Sequence, residues 1–158
     1  MKQYHALALG YSSLATHLPT KASALRINGY MCINGRPCKI VDKTESKTGK
    51  HGGKKIHFYA SDIFTDQKHE HLEMSTSNID VPTVVKNEYQ LVSINDNIIS
   101  YFDDSAQLQN DLFLPKSSKE DIQLAENLVN EFKNDKDIYI NVIFAMGIRE
   151  VKSFRIDS

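Results

Sequence analysis

No stretch of this sequence is apolar for long enough to cross a membrane. The best candidate, Ile138–Met146, is interrupted by polar residues and falls far short of the ~20 residues a span requires. We also read no secretory signal. Lys2 and the short apolar run Ala6–Leu9 are followed by Gly10, Tyr11, Ser12 and Ser13 before any hydrophobic core or small-residue cleavage site develops. Cysteine is scarce, with only Cys32 and Cys38, and two thiols in a chain without an export signal are expected to stay reduced. These absences lead us to expect a cytoplasmic protein with no membrane partner.

Catalytic constellations are missing too. An enzyme needs a nucleophile, base or metal set in a recognisable arrangement, and each candidate fails. His69-Glu70-His71 lacks a third ligand, and alternation puts both imidazoles on one face of what we read as an exposed strand. Cys32 and Cys38 are not spaced as C-x-x-C and fall in expected strands, so we read them as buried structural thiols. From Gly49 to Gly53-Lys54 the chain is one residue short of G-x-x-x-x-G-K, and Lys55 stands where a magnesium-binding Ser or Thr belongs. We therefore expect no enzyme, no catalytic residue, no metal and no bound cofactor.

The 41% hydrophobic and 25% charged residues are those of an ordinary globular protein. The net charge of -1 conceals an asymmetry. Residues 1–83 hold 11 Lys+Arg against 7 Asp+Glu, and residues 84–158 hold 8 against 13, so the halves carry about +4 and -5. All six histidines lie in the first half. A basic module joined to an acidic one points to an anionic partner for the first half only.

The first half reads as short strands between turn signals. Tyr30–Ile33, the hairpin dipeptide Asn34-Gly35, and Cys38–Val41 come first. Ile56–Ile63, a Thr65-Asp66 turn and a strand over Lys68–Met74 follow. Asp80-Val81-Pro82 closes this run, because Pro82 disfavours helix before it. A second run starts at once with strands expected at Glu88–Ile94, Ile98–Phe102 and Ala106–Leu112, separated by Asn95-Asp96-Asn97 and the Asp103-Asp104-Ser105 turn. Ser117-Ser118-Lys119-Glu120 matches a capping box, and Ile122, Ala125, Leu128, Val129 and Phe132 recur at helical spacing, so a helix is expected over 118–133. Strands at Ile138–Phe144 and Val151–Ile156 end the chain. The expectation is a mainly β protein: a flexible extension at 1–18, a small barrel at 19–83, and an oligonucleotide-binding (OB) fold with one helix at 84–158.

Between Val41 and Ile56 lies a fourteen-residue stretch, 42–55, without an apolar side chain and with five lysines against Asp42 and Glu45. It cannot anchor itself by burial, and hairpin loops usually take about 2–5 residues. Its lysine density suits phosphate contacts. Gly49 and Gly52-Gly53 bracket Lys50-His51, permitting positive φ and removing Cβ bulk beside Lys50. Such a tip can present one long amine to a narrow site.

Ser46-Lys47-Thr48-Gly49-Lys50-His51-Gly52 resembles the modification loop of the eukaryotic translation initiation factor 5A family. Supporting matches are Ser23-Ala24-Leu25-Arg26, Asn28-Gly29, Gly35-Arg36-Pro37-Cys38-Lys39-Ile40-Val41, Asp62-Ile63-Phe64-Thr65, Asp80-Val81-Pro82, and Asp111-Leu112 with Leu114-Pro115. The resemblance covers about residues 20–155. It implies an N-terminal SH3-like barrel and a C-terminal OB fold. It also implies that Lys50 receives an aminobutyl group from spermidine through deoxyhypusine synthase and is hydroxylated by deoxyhypusine hydroxylase to hypusine. The resemblance further implies binding to the ribosome, its rRNA and peptidyl-tRNA, promoting elongation at stalled polyproline sequences and termination. Lys47, Thr48, Gly49, His51, Gly52, Lys54 and Lys55 would then be loop contacts or conformational requirements, with homodimerisation left open. Many family members follow His-Gly with His-Ala-Lys, whereas this chain has Gly53-Lys54-Lys55, a more basic and more flexible tip. The extension at 1–18 lacks the acidic character common in the family.

The rival reading is a general single-stranded nucleic-acid binder, with Tyr59, Tyr89 and Tyr101 as stacking faces. Bacterial elongation factor P is a related runner-up, but it usually carries a third domain.

Overall fold

The computed structural model describes residues 17–47, 49, 50 and 52–157. They form eleven strands and one α-helix, and the chain divides into two compact units: residues to Thr83 with Ala145–Gly147, and the remainder from Val84.

In the first unit β2 (Tyr30–Ile33), β3 (Arg36–Lys47), β4 (Lys54–Asp62) and β5 (Lys68–Met74) make an antiparallel sheet in sequence order. Asn34 and Gly35 have φ of 51° and 75°, the double left-handed conformation of a two-residue hairpin turn. Strand β4 shows why the sheet folds one way: Ile56, Phe58, Ala60 and Asp62 are buried while the residues between them are not. Buried Met31, Ile33, Cys38, Ile40 and Leu25 complete this core. Strands β1 (His17–Lys21) and β6 (Asn78–Pro82) pair antiparallel as a separate two-stranded sheet, with Ile79 in the core. His17 and Leu18 thus belong to a strand and not to the expected extension, whereas Asp80-Val81-Pro82 closes the run as expected, as strand with Pro82 at its last position. Residues 1–16 of the expected extension lie outside the described residues.

The Asp62 carboxylate is buried and accepts from Arg36 Nε at 2.7 Å and Nη2 at 3.2 Å, and from the N–H groups of Phe64 and Thr65 at 2.8 and 3.0 Å. Burial pushes this carboxyl up, but the Arg36 hydrogen bond and the two N–H groups outweigh it and hold it below its ordinary value. The hairpin end of β4 is thereby tied to the start of β3.

The second unit is a five-stranded sheet in the order β11-β10-β7-β8-β9, with β7 (Val85–Asn95), β8 (Ile98–Phe102), β9 (Leu108–Phe113), β10 (Ile138–Ala145) and β11 (Ile148–Ile156). Strands β9 and β11 approach one another, and helix α1 (Lys119–Lys133) connects β9 to β10, the OB arrangement. Leu91, Ile99, Tyr101, Leu112, Leu128, Ile138, Ile140, Val142 and Val151 fill its core.

Helix α1 starts where the capping pattern places it, with Ser118 Oγ accepting from Asp121 N at 3.1 Å. Its buried face is shifted from the expected one. Ile122 is exposed, whereas Asp121 is buried because Lys152 Nζ reaches both its carboxylate oxygens at 3.0 and 2.9 Å.

Candidate functional site

The polar stretch 42–55 is mostly strand. Asp42–Lys47 pair with Lys54–Tyr59 rung by rung, ending at Ser46↔Lys55 and Lys47↔Lys54, so only six residues, 48–53, form the tip. A bulge between Ile40 and Asp42 precedes this ribbon and leaves Val41 exposed; such an extra residue bends and twists a strand. Six residues of strand reach about 20 Å.

The ribbon needs no apolar side chains of its own because a third strand supports it. Strand β5 follows β4 to the rung Lys55↔Met74, and Ser75 N donates to Lys54 O at 2.9 Å. The segment beyond β5 is held in turn, with Ala22 N donating to Ser77 O and Ser23 N to Ser75 O. The base of the tip is therefore tied to a buried turn, since Ala22 is fully buried.

At the tip Gly49 has φ +73° with no atom within 4 Å of the position a Cβ would take. Here glycine answers a conformational need and not a steric one. Gly53 is different from the expectation of positive φ: its backbone is not left-handed, and a Cβ there would come 2.8 Å from the Met74 methyl. Met74 thus occupies the space a larger residue at 53 would use. Lys50 is exposed at the bend after Gly49. Thr48 and His51 lie outside the described residues.

Lys47 and Lys54 are direct cross-strand partners, and Lys54 Nζ also stands 3.8 Å from Glu45 Oε2. Lys55 is half-buried on the next rung. Lys47, Lys50 and Lys54 therefore present exposed cations within one short tip and its last rung, with Glu45 the acid nearest Lys54.

The rival's three stacking faces are each already engaged within their own unit. Tyr101 is buried, with its hydroxyl 2.7 Å from Asp111 Oδ1 and 2.6 Å from Arg149 Nη2. Half-buried Tyr89 packs against it at 4.8 Å between centroids. Tyr59 stacks on His57 at 4.4 Å and 13°, beside Glu70, its register partner on β5.

His69 and His71 do share a strand face, but it is the inward one. They pair with buried Ala60 and Phe58 and are themselves half-buried, in contrast to the exposed strand expected. Among the described residues no three potential ligands gather to hold a metal. Cys38 is buried and Cys32 half-buried, both free, and burial pushes both thiols up to about 11. No helix is long and apolar enough to cross a membrane among the described residues.

The sequence signalled the lysines and glycines of the tip but missed the brace. Met74 and Ser75 carry no motif, and only the register of β5 reveals them.

Residues 15–77 match the family model described as "Translation initiation factor 5A-like, N-terminal", and residues 83–155 match "Eukaryotic elongation factor 5A hypusine, DNA-binding OB fold". The chain is 43% identical over 143 residues to eukaryotic translation initiation factor 5A-1 of Saccharomyces cerevisiae, covering 90% of this chain and 87% of that one. It is 40% identical over 138 residues to the 5A-1 protein of Arabidopsis thaliana, covering 87% and 85%. Among solved structures, a translation initiation factor of the same family from Naegleria fowleri superposes with a TM-score of 0.86 at 35% identity, covering 89% of this chain and 99% of that one. The factor 5A of Methanococcus jannaschii, at 24% identity and a TM-score of 0.67 over 90% and 96% of the chains, shares the fold.

Proposed function

The chain belongs to the eukaryotic translation initiation factor 5A family, and from that premise we propose that it is a non-enzymatic cytoplasmic factor acting on the ribosome through a hypusine built on Lys50. The observation that carries this reading is an exposed lysine at the end of a braced β-ribbon, following a glycine with φ +73°.

A lysine amine is a nucleophile once deprotonated, and an enzyme that alkylates it must enclose the whole side chain. The open space around Gly49 favours that approach from deoxyhypusine synthase and then from the hydroxylase. Transfer of the aminobutyl group breaks spermidine's secondary-amine C–N bond and joins that carbon to the Lys50 nitrogen, with 1,3-diaminopropane leaving and taking up the lysine proton, so the side chain is lengthened and gains a second amine. The product is a longer cationic arm that can reach a tRNA backbone.

The remaining tip residues supply attraction and rigidity. Lys47, Lys54 and Lys55 draw the tip toward rRNA and peptidyl-tRNA phosphates by counterion release. The Ser75 N–H on Lys54 O and the β5 register limit the ribbon's motion. Holding a reactant end in place lowers the entropic barrier to reaction, so the factor's benefit to peptide-bond formation at polyproline and to termination is positional. The ribosome remains the catalyst.

The test is a polyproline reporter translated with the wild-type factor or with Lys50→Arg, after both have passed through the modifying enzymes. The wild type is expected to relieve the stall and the variant to leave it. Equal relief by both would refute the proposal. The general nucleic-acid binder gains no support from the buried Tyr101.

A further inference from the structure

We propose that the outer face of β8 and β9 in the second unit is a docking surface for a protein segment whose apolar side chains are flanked by lysine or arginine. Two cross-strand pairs carry the argument: Ile98↔Phe113 and Phe102↔Leu108. All four side chains are exposed, Phe113 at 62% and Leu108 at 59%.

That they share one face follows from the register. On β8 the burial alternates, with Ile98 and Phe102 out and Ile99 and Tyr101 in. Leu108 and Phe113 are five residues apart and would point to opposite faces of a regular strand. The irregularity between Ile99 and Tyr101, which sets Ile99 against Leu112 and Tyr101 against Gln109, inserts one extra residue in β9 and restores the parity. A bulge that brings two large apolar residues to solvent is a costly use of a sheet face, since exposed apolar patches of this kind usually mark interaction sites.

The charge around the patch chooses the partner. Gln90, Ser93 and Asn95 of β7 stand beside it as register partners of Phe102, Ser100 and Ile98, and none is a cation. Asp96 borders the Ile98 end and Asp103-Asp104 the Phe102 end. Asp103 is engaged by the N–H groups of Ser105 and Gln107 and by Gln109. Asp96 and Asp104 are exposed and enter no ion pair among the described residues. The second and third strands of OB folds commonly bind oligonucleotides, with cations tracking the phosphates. Here acids stand at both ends, in a half carrying 8 basic against 13 acidic residues, so phosphates are repelled and a basic polypeptide is attracted. The two apolar pairs lie about 13 Å apart along β8, a span that an extended segment of five residues covers.

The experiment uses the full chain, isotope-labelled, with amide shifts followed by NMR. Three probes are titrated: a nonapeptide with alternate leucine and phenylalanine residues and Lys-Arg at each end, the same peptide with Glu-Glu ends, and a nine-nucleotide oligouridine. The basic peptide is expected to shift amides of β8 and β9, with affinity falling at least tenfold in Leu108→Asp and also in Asp104→Lys, which leaves the apolar pairs intact. Lys50→Arg is expected to leave the titration unchanged, which separates this surface from the tip. Equal binding of the acidic peptide, shifts at the same amides from oligouridine, or no shift with the basic peptide would each overturn the proposal.

Discussion

Lys47 and Lys54 face each other across the last rung of the β3–β4 ribbon, two like charges where strand pairing alone would favour opposite ones. Glu45 offsets part of the repulsion from 3.8 Å. Lys54→Gln removes both the repulsion and the attraction, so thermal unfolding is expected to shift by no more than a degree or two. Ribosome binding is expected to weaken, with the slope of log affinity against log salt reduced by roughly 0.7–0.9 for one lost phosphate contact. Thermal denaturation and salt-dependent sedimentation check the two halves separately; an unchanged slope would remove Lys54 from the contact set.

Two glycines in the same tip are expected to respond differently to alanine. At Gly49 the φ of +73° makes Gly49→Ala cost about 1–2 kcal/mol locally, and the tip should reorganise, slowing aminobutyl transfer at Lys50. At Gly53 the new methyl meets only the flexible end of Met74, so Gly53→Ala should be nearly neutral in both rate and stability. Transfer rates with labelled spermidine distinguish the two.

The Asp62 carboxyl is held below its ordinary value in the folded protein. Its contribution to stability is therefore fully present above the unfolded pKa of about 3.9 and is lost as pH falls through the folded value. Acid titration of the wild type should show stability falling below about pH 4, and Asp62→Asn should flatten that fall. The amide oxygen of the variant can still accept from the N–H groups of Phe64 and Thr65, but its NH2 replaces the oxygen that Arg36 Nε uses and leaves the guanidinium without a carboxylate, so a loss of roughly 3 kcal/mol at neutral pH is expected. Denaturant melts at pH 7 and pH 3 measure it.

Tyr101→Phe tests the closure of the second unit. The hydroxyl lies between Asp111 and Arg149, and its loss should cost about 1–2 kcal/mol without altering transfer to Lys50. A changed transfer rate would show that the two units are not independent in this respect.

Local chemistry made much of this protein legible. Asn34-Gly35 specifies its turn by backbone tolerance alone, and Ser118 caps α1 through its own side chain. The alternation in β4 is clear because one face is buried. What stayed hidden depends on partners distant in sequence. Strands β1 and β6 have little periodicity, and each becomes a strand only because the other is there to pair, as in Leu18↔Val81. The ribbon beyond Val41 read as loop because it lacks apolar residues, yet backbone pairing to β4, and of β4 to β5, extends the sheet to Lys47. Helix α1 read as apolar through Ile122, but the Lys152 pair makes Asp121 the better residue to bury. At the tip, Lys50 and Gly49 were visible as residue types, while the place of Met74 against Gly53 follows from register alone.

On the proposed function, Lys50 and no other lysine of the tip carries the hypusine. The direct measurement is mass spectrometry of protein purified from its native cell, first intact and then as peptides spanning Ser46–Lys55. One added aminobutyl group and one oxygen are expected, both mapped to Lys50. Their appearance on Lys47, Lys54 or Lys55, or an unmodified Lys50 in the active factor, would contradict it.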